Sequence, residues 1–177
     1  MREAKYEKAK DNFLNYRNSV NDPNSLSSNL VLCVYVDSND DLWIATQNNG
    51  LNKYNPNNNS FIRFLRNPDD PLGLNSSFVL SIAEYNKNNL LIGTGNGLNI
   101  LDKEKNQIFK YNYNRYEPEE IFGFSRVIIK DNAGLIWVGT DAQGMKKINP
   151  KLNFYHFRNI PDDFENLPHQ NVMCICE

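Results

Sequence analysis

Long apolar runs, histidine and paired cysteines are what this sequence has least of. Nothing in its 177 residues approaches the run of about 18 apolar residues that a membrane-crossing helix needs. The first ten residues, "MREAKYEKAK", are charged and hold no apolar signal core. That predicts a cytosolic chain or a piece of a larger protein. Three cysteines, Cys33, Cys174 and Cys176, are an odd count and give no disulfide framework. Cys174 and Cys176 also lack a second Cys or His pair at zinc spacing. All three lie in alternating apolar runs, so buried free thiols are expected. Only two histidines occur, His156 and His169. The first falls in a strand pattern and the second in a loop, and both are expected to face solvent. Net charge is −2 with a pI near 5.7, so no basic excess points to nucleic acid or a membrane surface.

What the chain does have is asparagine, in runs such as "NPNNN" (55–59) and "NKNN" (86–89). Asparagine tolerates positive φ and bonds its own backbone, so it favours turns. With 40% hydrophobic residues and 23% charged ones, the chain has enough apolar surface to fold. Many turns within a foldable chain imply many short strands.

Those strands recur. "LWIAT" (42–46), "LLIGT" (90–94) and "IWVGT" (136–140) place Thr46, Thr94 and Thr140 48 and 46 residues apart. Upstream stand "LCVYVD", "LSIAEY" and "VIIKD"; downstream stand "GLNKYNP", "GLNILD" and "GMKKINP", then "SFIRF", "QIFKY" and "NFYHF". Each unit is four short runs alternating with period two, hence four antiparallel strands. The first hairpin of each unit has Asp40, Asn88 or Gly134 at its fourth position, all residue types that accept left-handed geometry. The second hairpin ends each time in glycine: Gly50, Gly97 and Gly144. Residues 4–16 overlay 52–64, which predicts a third and a fourth strand there rather than a charged helix. Residues 171–177 overlay the first strand.

Four-stranded units of about 47 residues are β-propeller blades, whose period is roughly 40–50. The expected fold is all-β: one partial propeller domain over 1–177. It comprises a blade remnant at 2–16, blades at 30–64, 78–111 and 126–158, and the first strand of a further blade at 171–177. Closure needs about four to eight blades, so the chain is expected to be a fragment of a larger propeller or to close with another copy. Its open strand edges predict self-association and a homo-oligomer.

At these residues the chain resembles the two-component regulator propeller repeat. "DNAGLIWVGTDAQGMKKINP" (131–150) and "DSNDDLWIATQNNGLNKYNP" (37–56) carry the pattern, while "YNKNNLLIGTGNGLNILD" (85–102) has Leu91 in place of tryptophan. The resemblance implies a sensor region of a hybrid histidine kinase/response regulator of the Bacteroidetes type. Such a region is periplasmic in a membrane-anchored parent and answers to oligosaccharides. It is not itself an enzyme; kinase activity would belong to the parent outside this chain. The alternatives are an interaction scaffold without a small ligand, or a streptogramin-type lyase. The lyase needs an ordered His/Glu constellation and a metal, which His156 and His169 do not supply.

The repeat also disposes of a phosphate-loop look-alike. "GTDAQGMKK" (139–147) has two glycines and a nearby lysine, but a phosphate loop opens a helix. Here a strand follows, and Lys146 is expected to point to solvent. Trp43, Thr46, Gly50, Gly93, Thr94, Gly97, Trp137, Gly139, Thr140 and Gly144 read as structural repeat positions. Carboxylates such as Asp69, Asp70, Glu117, Glu119, Glu120, Asp162 and Asp163 fall in turns and read as solvated charges. Ligand contacts are expected where the second-hairpin turns meet the long linkers that join one unit to the next (17–29, 65–77, 112–125 and 158–170), because rigidly held loops carry binding. The candidates are Asn48, Asn49, Asn96, Asp141 and Gln143 in the turns, with Tyr113, Arg115 and Tyr116 in the third linker. No cofactor, catalytic residue or metal ligand is assigned.

Overall fold

A computed structural model describes residues 3–7, 12–70, 72–111, 121, 123–150 and 155–157, the first and last of these by backbone alone. The expectations at Tyr113, Arg115, Tyr116, His169, Cys174 and Cys176, at the turn carboxylates of 117–120 and 162–163, and for the strand at 171–177 lie outside the described residues, as does the His156 side chain.

All regular elements among the described residues are strands. β1 (Glu3–Glu7) pairs with β2 (Asn12–Tyr16) as an antiparallel hairpin, so repeat register prevails over the helix-like composition of the first ten residues. Three four-stranded antiparallel meanders follow. The first is β3 (Val31–Val36), β4 (Leu42–Thr46), β5 (Leu51–Asn55) and β6 (Ser60–Phe64). The second is β7 (Val79–Asn86), β8 (Asn89–Thr94), β9 (Gly97–Asp102) and β10 (Gln107–Lys110). The third is β11 (Ser125–Lys130), β12 (Ile136–Thr140), β13 (Met145–Ile148) and β14 (Tyr155–Phe157). These are the blades of a partial β-propeller.

Apolar layers between consecutive sheets hold them together. Trp43 and Ala45 point into the layer shared with Leu90, Ile92 and Leu101 of the second sheet. Ile44, between them, points the other way, against Leu26, Phe61 and Tyr16. In β8, Leu90 and Ile92 face the first sheet while Leu91 faces Ile136, Val138 and Ile148 of the third. Neighbouring side chains on a strand face opposite sides. A central strand buried on both faces therefore reads as a continuous apolar run, as "LWIA" and "LLIG" do.

The sheets approach closely at Gly93. A β-carbon there would fall 2.5 Å from the carbonyl oxygen of Ser125 in the next sheet and would collide with the Ser81 hydroxyl. That hydroxyl donates to the same Ser125 oxygen at 3.0 Å. Gly50, Gly97 and Gly144 have φ of 72°, 86° and 70°, as a turn closed to β-carbons requires.

Two local expectations are corrected. Asp40 and Gly134 have positive φ, but Asn88 does not. A register shift between Glu84 and Asn86 shortens that loop to Lys87–Asn88, a different turn from those holding Asp40 and Gly134. Left-handed asparagines occur instead at Asn59 and Asn106, in the β5–β6 and β9–β10 turns. Lys146 does not point to solvent; it is 2% exposed. It pairs in register with Val138, and so shares the face that packs on the second sheet. Cys33 is half-buried rather than fully buried, and desolvation raises its thiol pKa against a backbone hydrogen bond from Ile82.

Candidate functional site at the linker face

The first long linker crosses its blade from outer strand to inner strand, and polar groups fasten it at every step. In the first blade, Phe61 N donates to Asn24 O at 2.7 Å on β6. Arg63, also on β6, donates through Nε to Ser25 O and through an Nη to Asp22 O. On β5, the buried Asn52 accepts from Ser27 N and donates to Ser27 Oγ. On β4, Ser27 Oγ meets Thr46 Oγ1 at 3.2 Å, and Gln47 N then donates to Leu30 O. The second blade repeats the inner part of the path: Asn75 N donates to Asn99 Oδ1, Asn75 Oδ1 accepts from Thr94 Oγ1, and Gly95 N donates to Phe78 O. Thr46 and Thr140 donate to the glycine carbonyl closing their own turn, at 2.9 and 2.7 Å, whereas Thr94 Oγ1, 3.1 Å from Gly97 O, divides its one proton between that carbonyl and Asn75 Oδ1. Lys146 occupies the register position of Asn52 and Asn99.

In the first and third blades, the turn at the opposite end of the second strand is fastened by a device that escapes sequence reading. Asp37 Oδ1 accepts from Asn39 N and Asp41 N, while its Oδ2 accepts from Trp43 Nε1 at 3.0 Å. Asp131 repeats this with Ala133 N, Leu135 N and Trp137 Nε1. Lys53 sits over the Trp43 ring and Lys147 over the Trp137 ring, at 5.3 and 5.2 Å. The middle blade replaces all three partners together, with Tyr85, Leu91 and Ile100. The signal was the joint departure of three positions. Trp43 is fully buried, whereas Trp137 is only half-buried. Asp37 also bonds Lys103 Nζ of the second blade at 2.9 Å, both side chains being nearly inaccessible. Burial raises the Asp37 pKa, but the hydrogen bonds from Lys103, Trp43, Asn39 and Asp41 more than offset this and hold it below the ordinary value.

The turns and linker ends converge on one face. Gly50 N donates to Ser77 O, Gly97 N to Gly123 O, and Asp141 N to Phe124 O. Asn48, Asn49 and Asn96 are exposed there, and their side-chain amides make no hydrogen bond to the described residues. Gln143 is half-buried, with its backbone N–H on Thr140 Oγ1. Asp141 is engaged by Arg126 through two parallel bonds of 2.5 and 2.8 Å, and the bond to Asp141 raises the guanidinium pKa. The same guanidinium lies 5.3 Å from the centre of the Phe124 ring. Phe124 in turn meets Phe78 edge-to-face at 5.5 Å and stays 39% exposed. Phe78 and Arg126 were not among the sequence candidates. Repeat register could have found Phe78, which with Leu30 and Phe124 ends its linker at the same point. The arrangement offers an exposed ring, a fixed ion pair and three uncommitted amides. Among the described residues, no three His, Cys, Asp or Glu side chains converge as a metal site would require, and no helix is long and apolar enough to cross a membrane.

The two component regulator propeller family model matches residues 25–48, which is the first linker together with the β3–β4 hairpin. No curated protein matches the chain. Among solved structures, the chain is similar to the extracellular domain of BT4673 from B. thetaiotaomicron, described as a hybrid two component system, with a TM-score of 0.73 and 19% identity over 96% of this chain. A second structure of that domain, described as a one component system, has the same TM-score and identity. The extracellular domain of BT3049, from the same organism, gives a TM-score of 0.57 and 17% identity over 97% of this chain. The chain spans only 21%, 22% and 27% of these three structures. The chain therefore has the fold of a partial β-propeller, and its residues 25–48 match the two component regulator propeller model.

Proposed function

We propose that the chain is part of the sensor region of a hybrid two-component regulator and that its linker face binds an oligosaccharide. The parent would present this region in the periplasm and carry the kinase elsewhere. The observation that carries the reading is the cluster of Phe78, Phe124, Arg126 and Asp141 beside the free amides of Asn48, Asn49 and Asn96. An exposed ring can stack on a sugar face, and amides and a fixed carboxylate can bond its hydroxyls. Similarity to extracellular domains of two component systems supports the setting. Calorimetry of the complete parent ectodomain against plant and host oligosaccharides tests it. One of them should bind, and Phe124→Ala should weaken it at least about tenfold, a loss of ~1.4 kcal/mol. Absence of binding by every glycan, or an unchanged affinity in the variant, sinks the reading.

A second reading, assembly with another propeller surface, is favoured by β3. Leu32, Val34 and Val36 are 43%, 54% and 57% exposed, whereas Ile82, the register equivalent of Val34, is 3% exposed under the first sheet. An apolar strand face of this kind favours self-association. Light scattering should find an oligomer of this chain; a stable monomer counts against it.

A further inference from the structure

A cavity of about 400 Å³ opens on the outer rim, between the end of β2, linker residues 22–25 and the β5–β6 turn. It is separate from the linker-face cluster and falls within the roughly 300–1,000 Å³ typical of ligand pockets. Its frame is rigid. The linker is fastened along β6 by Phe61 N on Asn24 O and by Arg63. The Tyr16 ring packs in T-shaped contacts with Tyr54 and Phe61, at centroid distances of 5.6 and 5.4 Å.

The polar groups lining the cavity are donor-rich. Asn59, held at φ 59°, has its Oδ1 occupied by the hydroxyls of Tyr54 and Tyr16, at 2.7 and 2.5 Å. Asn58 Oδ1 is occupied by Ser60 Oγ at 2.7 Å. With both oxygens satisfied, what these amides have left to offer is Nδ2. Asn15, Arg17 and Asn24 also line the cavity, and their side chains make no hydrogen bond to the described residues. Against these donors stands one carboxylate, Asp22, whose Oδ1 already accepts from Asn24 N.

Unspent donors around a guanidinium call for an anionic acceptor. The planar fork of arginine matches a carboxylate or sulfate in two-point geometry. The remaining Asp22 oxygen calls for a hydroxyl donor a short distance from that anion. A neutral sugar would leave Arg17 without a charge partner, and a simple anion would leave Asp22 without a hydroxyl. We propose that this rim cavity is a second ligand site, taking an anionic sugar: a hydroxylated ring that bears a carboxylate or a sulfate.

The test uses the whole chain, labelled with ¹⁵N, and follows the side-chain amide signals of Asn15, Asn24, Asn58 and Asn59. The probes are galacturonic acid, galactose 6-sulfate, methyl galactoside and acetate. Saturable shifts with galacturonic acid or galactose 6-sulfate at millimolar concentration, and not with the other two, support the site; which of the pair binds identifies the anion. Arg17→Gln, at an exposed position, should weaken that binding at least about tenfold, as loss of a charge-assisted pair predicts. Asn59→Gly keeps the left-handed turn and should weaken it as well. Equal shifts with methyl galactoside or acetate, no shift with any probe, or full affinity in Arg17→Gln overturns the proposal. Phe124→Ala should leave these shifts unchanged, so failure here is distinct from failure at the linker face.

Discussion

Replacing Lys146 with methionine should stabilise the chain near neutral pH and flatten its response to alkali. Lys146 is 2% exposed on the β13 face shared with Ile148, opposite Val138. Desolvation pushes its pKa from 10.5 down to about 8. The folded state therefore disfavours the protonated lysine, and the unfolded chain binds the extra proton between pH 8 and 10.5. Stability must rise with pH across that window. One pKa unit is worth 1.36 kcal/mol, so the gap of about 2.5 units corresponds to roughly 3 kcal/mol. That cost is fully present below pH 8 and gone above about pH 10.5. Urea unfolding of both proteins at steps from pH 7 to pH 10 measures it, since titrations common to both cancel in the difference. The wild-type chain should gain about 2–3 kcal/mol relative to Lys146→Met over that range. Parallel pH profiles would refute the desolvation argument, and Lys146→Asn, which restores the residue type of the other two blades, should behave like the methionine variant.

Gly93→Ala should cost about 1–3 kcal/mol in urea unfolding, because the added carbon meets the Ser125 backbone as well as the Ser81 hydroxyl bonded to it. Asp37→Ala should cost more than Asp131→Ala, on the order of 3 kcal/mol, since it strands the buried Lys103 ammonium as well as the indole N–H. Because the Asp37 pKa is depressed, the stability it contributes is present above its unfolded value of about 3.9 and is lost as pH falls through the folded one. The wild-type advantage over Asp37→Ala should therefore shrink in acid, which thermal melts can follow. Arg63→Ala should release the first linker from β6, detectable as faster amide exchange at residues 22–26.

The blades were legible because their signal is redundant: three threonines at near-constant spacing and glycines at the same turn phase. Repetition also placed β1 and β2, where composition alone pointed to a helix. It misled at Asn88, where one copy was treated as typical, while at Lys146 residue type was followed against the repeat register. At Asn88 a strand irregularity changes the loop length, which no residue type announces. At Lys146 a charged residue occupies a buried position because the register demands it. The Asp–Trp–Lys fastening was hidden because it joins residues six to twelve places apart across a hairpin, so no single motif displays it. The linker-face cluster was half visible: its turns followed from the repeat, but the Phe78–Phe124–Arg126 contact depends on the distance between neighbouring sheets.

Leu91 and Ile92 are adjacent in sequence yet belong to different apolar layers. Opening either layer strips one side of the same strand. The energy of each sheet is thus tied to both of its neighbours, like a spin in a one-dimensional chain. A disturbance at the middle sheet should then propagate in both directions, whereas one at an end has a single route. That gives the propeller a means of passing strain sideways, sheet by sheet.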